Sequence, residues 1–182
     1  MFFPDPQKSV LAVIDMQERL LPAMAHPESC TERTALLIRG AAALKMPMIV
    51  SEQYPKGLGP TVPAVASLLP EGTDVFAKGA FSCFGEEAWA AGLAAHQAET
   101  LILCGVEAHV CVAQTAWDAR KAGMEVFVIR DAVSSRRDTD RDCALEQLRA
   151  DGVRVVTAEM MLFLLLRTSG HPAFREISKL VK

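Results

Sequence analysis

One segment of the chain reads Thr100-Leu101-Ile102-Leu103-Cys104-Gly105-Val106-Glu107-Ala108-His109-Val110-Cys111. Its apolar first half is typical of a buried strand, and residues 112–121 follow a helical pattern. A cysteine between a buried strand and a helix lies near unpaired backbone N–H groups and the positive end of the helix dipole. We expect this environment to favour the thiolate of Cys111, which is the nucleophilic form.

Two other predicted strands also end in charged residues. Asp15 follows the apolar strand Ser9–Ile14, and Lys78 follows a strand over residues 74–77. Parallel strands present their carboxyl ends at one edge of a sheet, where such folds hold their sites. A carboxylate that reaches Cys111 can accept the thiol proton, and an ammonium can stabilise negative charge on a substrate oxygen. We therefore expect Asp15, Lys78 and Cys111 to form a catalytic group.

Each of these residues also has an ordinary structural interpretation. Asp15 is of the type that caps a turn, Lys78 of the type that is solvated, and Cys111 of the type that packs as a small apolar side chain. Cys104, inside the apolar strand, is expected to be a core residue. Gln17 is expected either to hold a loop or to contact substrate.

Short apolar runs alternate with helical periodicity along the chain. The runs lack polar–apolar alternation, which is typical of parallel strands covered on both faces. This pattern predicts a single three-layer α/β/α domain over residues 1–182, with a mostly parallel six-stranded sheet. The expected strands are Ser9–Ile14, 48–51, 74–77, 100–104, 125–129 and Arg154–Val156. Helices are expected over residues 31–45, 62–69, 86–95, 110–121, 139–150, 159–167 and 172–180, and a loop over the site at 54–63.

Composition and charge narrow the classes of function. The chain has 182 residues, 51% of them apolar, which suits one well-packed domain. Its net charge of -3 gives no electrostatic basis for binding nucleic acid or an anionic membrane. The apolar run at 160–166 is far shorter than the roughly 20 residues that span a bilayer. We therefore expect a small-molecule partner, and no nucleic acid or membrane.

Cysteine and histidine spacing bears on cofactors and location. The five cysteines are odd in number and include no Cys-x-x-Cys pair, which favours a reducing compartment. The N-terminal residues lack the features of a signal peptide, so we expect a cytoplasmic protein. The four histidines have no metal-binding spacing, and no phosphate-binding glycine motif is present. We expect neither a metal nor another cofactor.

Several motifs of the chain occur together in one known family. In chain order they are Asp15-Met16-Gln17, Ser51-Glu52-Gln53-Tyr54-Pro55-Lys56-Gly57-Leu58-Gly59, Lys78, residues 105–111, Thr115-Ala116-x-Asp118-Ala119 and His171-Pro172-x-Phe174. In this combination the chain resembles the isochorismatase-like cysteine hydrolases, and within them the isochorismatase-domain-containing proteins. The resemblance covers essentially the whole chain and implies a Rossmann-like α/β/α hydrolase fold.

The resemblance implies a triad of Asp15 as base, Lys78 as electrostatic partner and Cys111 as nucleophile. It also implies a cis peptide bond between Val106 and Glu107, with the backbone N–H groups of Glu107 and Cys111 forming an oxyanion hole. We therefore predict metal-independent hydrolysis of a small carbonyl compound, with an amide or related C–N bond as the target and a thioester as intermediate. Two alternatives are a catalytically silent interaction domain and a redox-sensing thiol protein.

The chain departs from two parts of this family. Nicotinamidases carry an Asp-x-His metal site after the second strand, where this chain has Ser51-Glu52-Gln53. True isochorismatases lack the cysteine and cleave a vinyl ether, whereas this chain has Cys111. Both departures argue against those two activities.

Two further expectations concern surfaces. Gln17, Tyr54, Phe81, Phe84 and His109 are substrate-pocket candidates because they adjoin the predicted site, with simple packing as the alternative for the aromatic residues. The run of apolar residues at 160–166 is too continuous for one buried helix face and predicts a homo-oligomer interface, with an internal helix as the alternative.

Overall fold

Six parallel strands form the centre of the computed structural model, which describes residues 3–182. The strands are β1 (Ser9–Ile14), β2 (Met48–Gln53), β3 (Asp74–Lys78), β4 (Thr100–Val106), β5 (Glu125–Ser134) and β6 (Arg154–Val156). Their order across the sheet is β3-β2-β1-β4-β5-β6, and every neighbouring pair is parallel. The predicted α/β/α architecture is confirmed.

Helices cover both faces of the sheet. They are α1 (Pro27–Ala43), α2 (Pro55–Leu58), α3 (Pro63–Ala66), α4 (Glu87–Ala95), α5 (Ala113–Lys121), α6 (Asp138–Ala150), α7 (Ala158–Leu166) and α8 (Phe174–Leu180). One apolar cluster joins the sheet to α1, α7 and α8, and a second joins it to α4, α5 and α6. Within residues 3–182 no helix combines the length and the apolarity needed to cross a membrane.

Successive residues of β1 explain why its sequence is uniformly apolar. Leu11 and Val13 belong to the cluster with α1, whereas Val10 and Ala12 belong to the cluster with α5. Side chains alternate between the two faces of a strand, and here both faces are covered. No residue of β1 is exposed, so the strand needs apolar side chains at every position.

Several predicted boundaries are wrong for local reasons. Helix α1 begins earlier than expected, at Pro27, because proline suits the first helical position, where no N–H is needed. The helix expected at 62–69 is α-helical only over Pro63–Ala66, since Leu68 and Leu69 make tighter turn hydrogen bonds. Strand β5 runs past its expected end to Ser134, because its pairing with β4 resumes after an irregularity near Gly105.

The apolar run at 160–166 is mostly internal to the subunit. Met161, Leu162, Leu165 and Leu166 are buried in the cluster with α1. Exposed apolar surface remains at Met160 and at residue 163, which are 53% and 40% exposed. The internal-helix alternative therefore accounts for most of the run, and two side chains are left for an interface.

Candidate active site

The ends of neighbouring strands bring the predicted catalytic residues to one edge of the sheet. Asp15 directly follows β1, Lys78 is the last residue of β3, and Cys111 follows β4 by one turn of chain. Because β2 lies between β3 and β1, and β4 lies on the other side of β1, all three residues flank the same crevice.

The Asp15 carboxylate and the Lys78 ammonium form a buried ion pair. Oδ2 of Asp15 lies 2.8 Å from Nζ of Lys78, and neither side chain is exposed. Ser51 donates its hydroxyl to Oδ1 of Asp15 over 2.7 Å. A buried ion pair is tolerated only when such additional partners satisfy its remaining polar atoms. Ser51 therefore orients the carboxylate as well as stabilising it.

Further oxygen atoms surround the Lys78 ammonium. Nζ donates to Oε1 of Gln53 at 2.6 Å and approaches the carbonyls of Phe81 at 3.1 Å and Ala80 at 3.3 Å. Burial lowers the pKa of Lys78, but the adjacent carboxylate and thiolate charges outweigh it and raise the pKa above its ordinary value. Lys78 therefore remains positively charged at neutral pH.

Cys111 lies beside this ion pair, with 5% of its surface exposed. Burial raises the pKa of its thiol to about 12, Asp15 adds to the rise by charge and by a side-chain hydrogen bond, and Lys78 opposes it in the same two ways. The expectation of a resting thiolate is therefore wrong. Loss of solvation and a neighbouring carboxylate outweigh the helix terminus, and Cys111 rests as a neutral thiol.

This arrangement can move a proton without changing its total charge. Transfer from the Cys111 thiol to the Asp15 carboxylate relocates one negative charge from oxygen to sulfur. The Lys78 ammonium compensates that charge at either position. Such a group produces a thiolate at the moment of attack, so it does not need a free thiolate beforehand.

The turn between β4 and α5 positions the cysteine. The Val106–Glu107 peptide bond is cis, as the family resemblance implies. The carbonyl of Glu107 accepts hydrogen bonds from the N–H groups of Val110 at 3.1 Å and Val112 at 3.2 Å. Residues Ala108–Val112 form a π-helical turn, so the helix expected from residue 110 is regular only from Ala113.

The side chain of Glu107 points away from bulk water. It is 10% exposed, and its Oε1 lies 3.1 Å from Nη2 of Arg136, which is 64% exposed. Its Oε2 is buried and has no hydrogen-bond partner within residues 3–182. The sequence indicated a role for the backbone of Glu107 but not for this carboxylate.

Gln17, a pocket candidate, is fully engaged with the protein. Its Nε2 donates to the carbonyls of Gln53 at 3.0 Å and Gly59 at 2.7 Å, and its Oε1 accepts from the N–H of Gln53 at 2.7 Å. Glu52 acts similarly, since its Oε1 accepts from the N–H and hydroxyl of Thr61. Both side chains hold the loop after β2, which favours the loop-holding interpretation of Gln17.

The aromatic pocket candidates divide into two kinds. Tyr54 and Phe81 are 62% and 55% exposed, and both adjoin Lys78 through the backbone. The ring of Phe84 instead packs edge-on against Trp89, with centroids 5.3 Å apart. Phe84 thus fits the packing alternative, and Tyr54 and Phe81 remain available to a ligand.

His109 makes a polar contact within the protein. Its Nδ1 lies 2.9 Å from the hydroxyl of Ser135, which follows β5. This contact joins the turn that carries Cys111 to the end of the next strand. His109 is partly exposed, so its other ring nitrogen remains a candidate for contact with substrate.

Sequence reasoning assigned no role to three residues of this site. Ser51 and Gln53 contact Asp15 and Lys78, and Cys83 lies close enough to both charged groups to feel their charges. Two of the three stand at the carboxyl end of β2, and polar residues in that position were the available signal. Among the described residues no group of three His, Cys, Asp or Glu side chains is placed to hold a metal ion.

Comparison with known proteins agrees with this fold. The model of the isochorismatase domain matches residues 9–160. Isochorismatase domain-containing protein 2 of Danio rerio is 42% identical over 173 residues, which are 95% of this chain and 86% of that protein. The structure of MAR1 ribonuclease from Caenorhabditis elegans superposes with a TM-score of 0.94 at 39% identity, covering 99% of this chain and 92% of that one.

A more distant structure shows the same fold. YcaC from Escherichia coli superposes with a TM-score of 0.88 at 23% identity, over 98% of this chain and 96% of its own. The domain match and the near full-length relatives lead to one assignment: this chain belongs to the isochorismatase family and has the hydrolase fold of that family.

Proposed function

We propose that the protein is a cysteine hydrolase of small amides or related C–N compounds that acts without a metal. The observation that carries the proposal is the neutral Cys111 thiol beside the buried Asp15–Lys78 ion pair. A nucleophile next to its own base, with a cation beside both, is the arrangement that covalent acyl transfer requires.

In the proposed reaction, Asp15 accepts the thiol proton as sulfur attacks the substrate carbonyl carbon. The backbone N–H groups of Glu107 and Cys111 hold the oxyanion, with the Lys78 ammonium nearby. Asp15 then returns the proton to the departing nitrogen, which leaves a thioester on Cys111. Water that gives its proton to Asp15 hydrolyses the thioester and releases the acid.

The test is ammonia release from a panel of small primary amides. We expect wild-type protein to hydrolyse at least one of them and Cys111→Ala to lose at least about a thousandfold in kcat/KM, because no other nucleophile replaces the sulfur. Cys143→Ala is the matched control, since that cysteine is exposed and outside the crevice. Thermal unfolding checks that both variants fold, and turnover retained by Cys111→Ala refutes the mechanism.

RNA cleavage is a second candidate function, because the Caenorhabditis elegans relative at 39% identity is named a ribonuclease. The net charge of -3 offers RNA no general attraction, which makes this candidate the weaker one. RNA belongs in the same assay, and cleavage that Cys111→Ala abolishes would replace the amide proposal. A silent interaction domain would give no turnover with any substrate, and a redox sensor would instead form a reversible disulfide with peroxide.

We also propose that the protein assembles as a homo-oligomer in the cytoplasm. The support is the apolar surface left on α7 at Met160 and Phe163. YcaC from Escherichia coli, which shares the fold, is an octameric hydrolase of unknown specificity. The location remains a prediction from the cysteine pattern.

A further inference from the structure

Glu107 carries a buried carboxylate that the protein only half satisfies. Oε1 has Arg136 as its partner, whereas Oε2 has none among the residues the structure describes. The side chain is nine-tenths buried, so solvent does not replace the missing donor. Burying a carboxylate oxygen without a donor is unfavourable, and such atoms are uncommon in folded proteins.

The existing partner compensates this carboxylate only in part. Arg136 is 64% exposed, and an ion pair to a side chain that solvated is weakened by water and salt. Lys78 does not contribute a free charge either, because Asp15 already pairs with it. The negative character of Glu107 is therefore retained at this end of the crevice.

The backbone holds this carboxylate close to the proposed nucleophile. Glu107 precedes Cys111 by four residues, about one helical turn. Its carbonyl is tied to the N–H groups of Val110 and Val112, on either side of the cysteine. Glu107 and Cys111 therefore belong to one rigid turn, and a small molecule bound at the thiol lies beside the carboxylate.

We propose that Glu107 is a specificity-determining residue whose Oε2 accepts a hydrogen bond from a nitrogen-bearing group of the substrate. An ionised carboxylate only accepts hydrogen bonds, so it selects N–H donors and repels other carboxylates. The substrate class is then small amides that are neutral or cationic, with carboxylate-bearing compounds disfavoured. This inference rests on the proposed function and narrows its substrate.

The test compares two reagents that differ only in this respect. Iodoacetamide carries an N–H donor and iodoacetate a carboxylate, and both alkylate a thiol with loss of iodide. The rate ratio of the two reagents is measured at Cys111 by peptide mass spectrometry, with exposed Cys143 as the internal reference. In wild-type protein we expect the normalised ratio to favour iodoacetamide by at least about tenfold. Glu107→Gln should bring it close to one, because the variant removes the charge and keeps the size.

Two controls separate the carboxylate from general effects of charge. Glu159→Gln makes the same charge change at an exposed position of α7 and should leave the ratio at the wild-type value. Arg136→Gln removes the partner of Oε1 and should maintain or increase the preference. If Glu107→Gln fails to fold by thermal unfolding, Glu107→Ser gives the same comparison with a smaller side chain.

Alkylation does not require turnover, so this test can fail or succeed independently of the amide panel. An unchanged ratio in the Glu107 variant overturns the inference even if amides are hydrolysed. Failure of either reagent to label Cys111 in wild-type protein also overturns it, because a small amide then has no access to Glu107. If the protein hydrolyses amides, Glu107→Gln should raise KM for cationic amides at least about tenfold and leave kcat for neutral ones nearly unchanged.

Discussion

For single residues, burial rather than local sequence determines which atoms carry charge. The helix start that precedes α5 favours a thiolate by about 0.3–1 kcal/mol. Burial and the Asp15 carboxylate raise the pKa of Cys111 from 9.0 to about 12, which corresponds to roughly 4 kcal/mol in favour of the thiol. The larger effect wins, and the thiol keeps its proton until Asp15 accepts it.

Cys83 leads to a prediction about alkaline pH. Burial raises the pKa of its thiol from 9.0 to about 11, with Asp15 adding to the rise. Between these two values the folded protein binds more protons than the unfolded chain, so stability falls as pH rises through this window. We expect the wild-type free energy of unfolding to fall by about 2 kcal/mol more than that of Cys83→Ala between about pH 8 and about pH 10.5.

Urea unfolding at the two pH values measures this difference. Cys143→Ala is the control, because that thiol is exposed and should leave the wild-type pH dependence intact. Equal pH dependence in wild-type protein and Cys83→Ala would contradict a buried, protonated thiol at position 83.

For the individual elements, the carboxyl end of β4 is the most constrained part of the fold. Gly105 pairs with Ile14 of β1 and has a φ of +110°. A side chain at this position would collide with the backbone carbonyl group of Ile14, which belongs to the central strand and cannot move aside. The turn that carries Cys111 therefore begins at a position where only glycine fits.

Substitution of Gly105 by alanine should consequently be severe. We expect Gly105→Ala to cost more than about 4 kcal/mol of stability, through steric overlap added to an unfavourable backbone conformation. Gly72→Ala is a matched control, because Gly72 also has a positive φ of +81° but nothing within 4 Å of the added carbon. It should cost about 1–2 kcal/mol. Soluble yield and urea midpoints compare the two variants, and similar losses would contradict the steric argument.

For the molecule as a whole, the sheet order turns distant residues into neighbours. Asp15, Lys78 and Cys111 meet because β2, β1 and β4 lie side by side and run in the same direction. The same packing leaves α7 with a buried face toward α1 and an exposed apolar remainder. The first consequence produces the crevice, and the second is the proposed interface.

The exposed face of α7 gives a prediction about assembly. We expect sedimentation velocity to show a species larger than the 19.7 kDa monomer, and Met160→Glu to shift it toward monomer by placing a charge in an apolar contact. Val75→Glu is the control, since Val75 is 49% exposed on the edge strand β3. A purely monomeric wild-type protein would contradict the prediction, and so would dissociation by Val75→Glu alone.

Local patterns were sufficient to predict the architecture and the catalytic candidates. Apolar runs mark strands covered on both faces, and a charged or nucleophilic residue at a strand end needs no knowledge of its neighbours to be recognised. The triad members Asp15, Lys78 and Cys111 were predictable for that reason, as was Gly105 before the turn.

Only the tertiary structure decided the protonation of Cys111, the partners of the ion pair and the unsatisfied oxygen of Glu107. Ser51 and Gln53 contact Asp15 and Lys78 across strand pairs, so each contact depends on sheet register rather than on sequence spacing. A pKa and an unpaired oxygen depend likewise on everything that surrounds an atom once water has been excluded. That environment is assembled from segments far apart in the chain, and it exists only after the chain has folded.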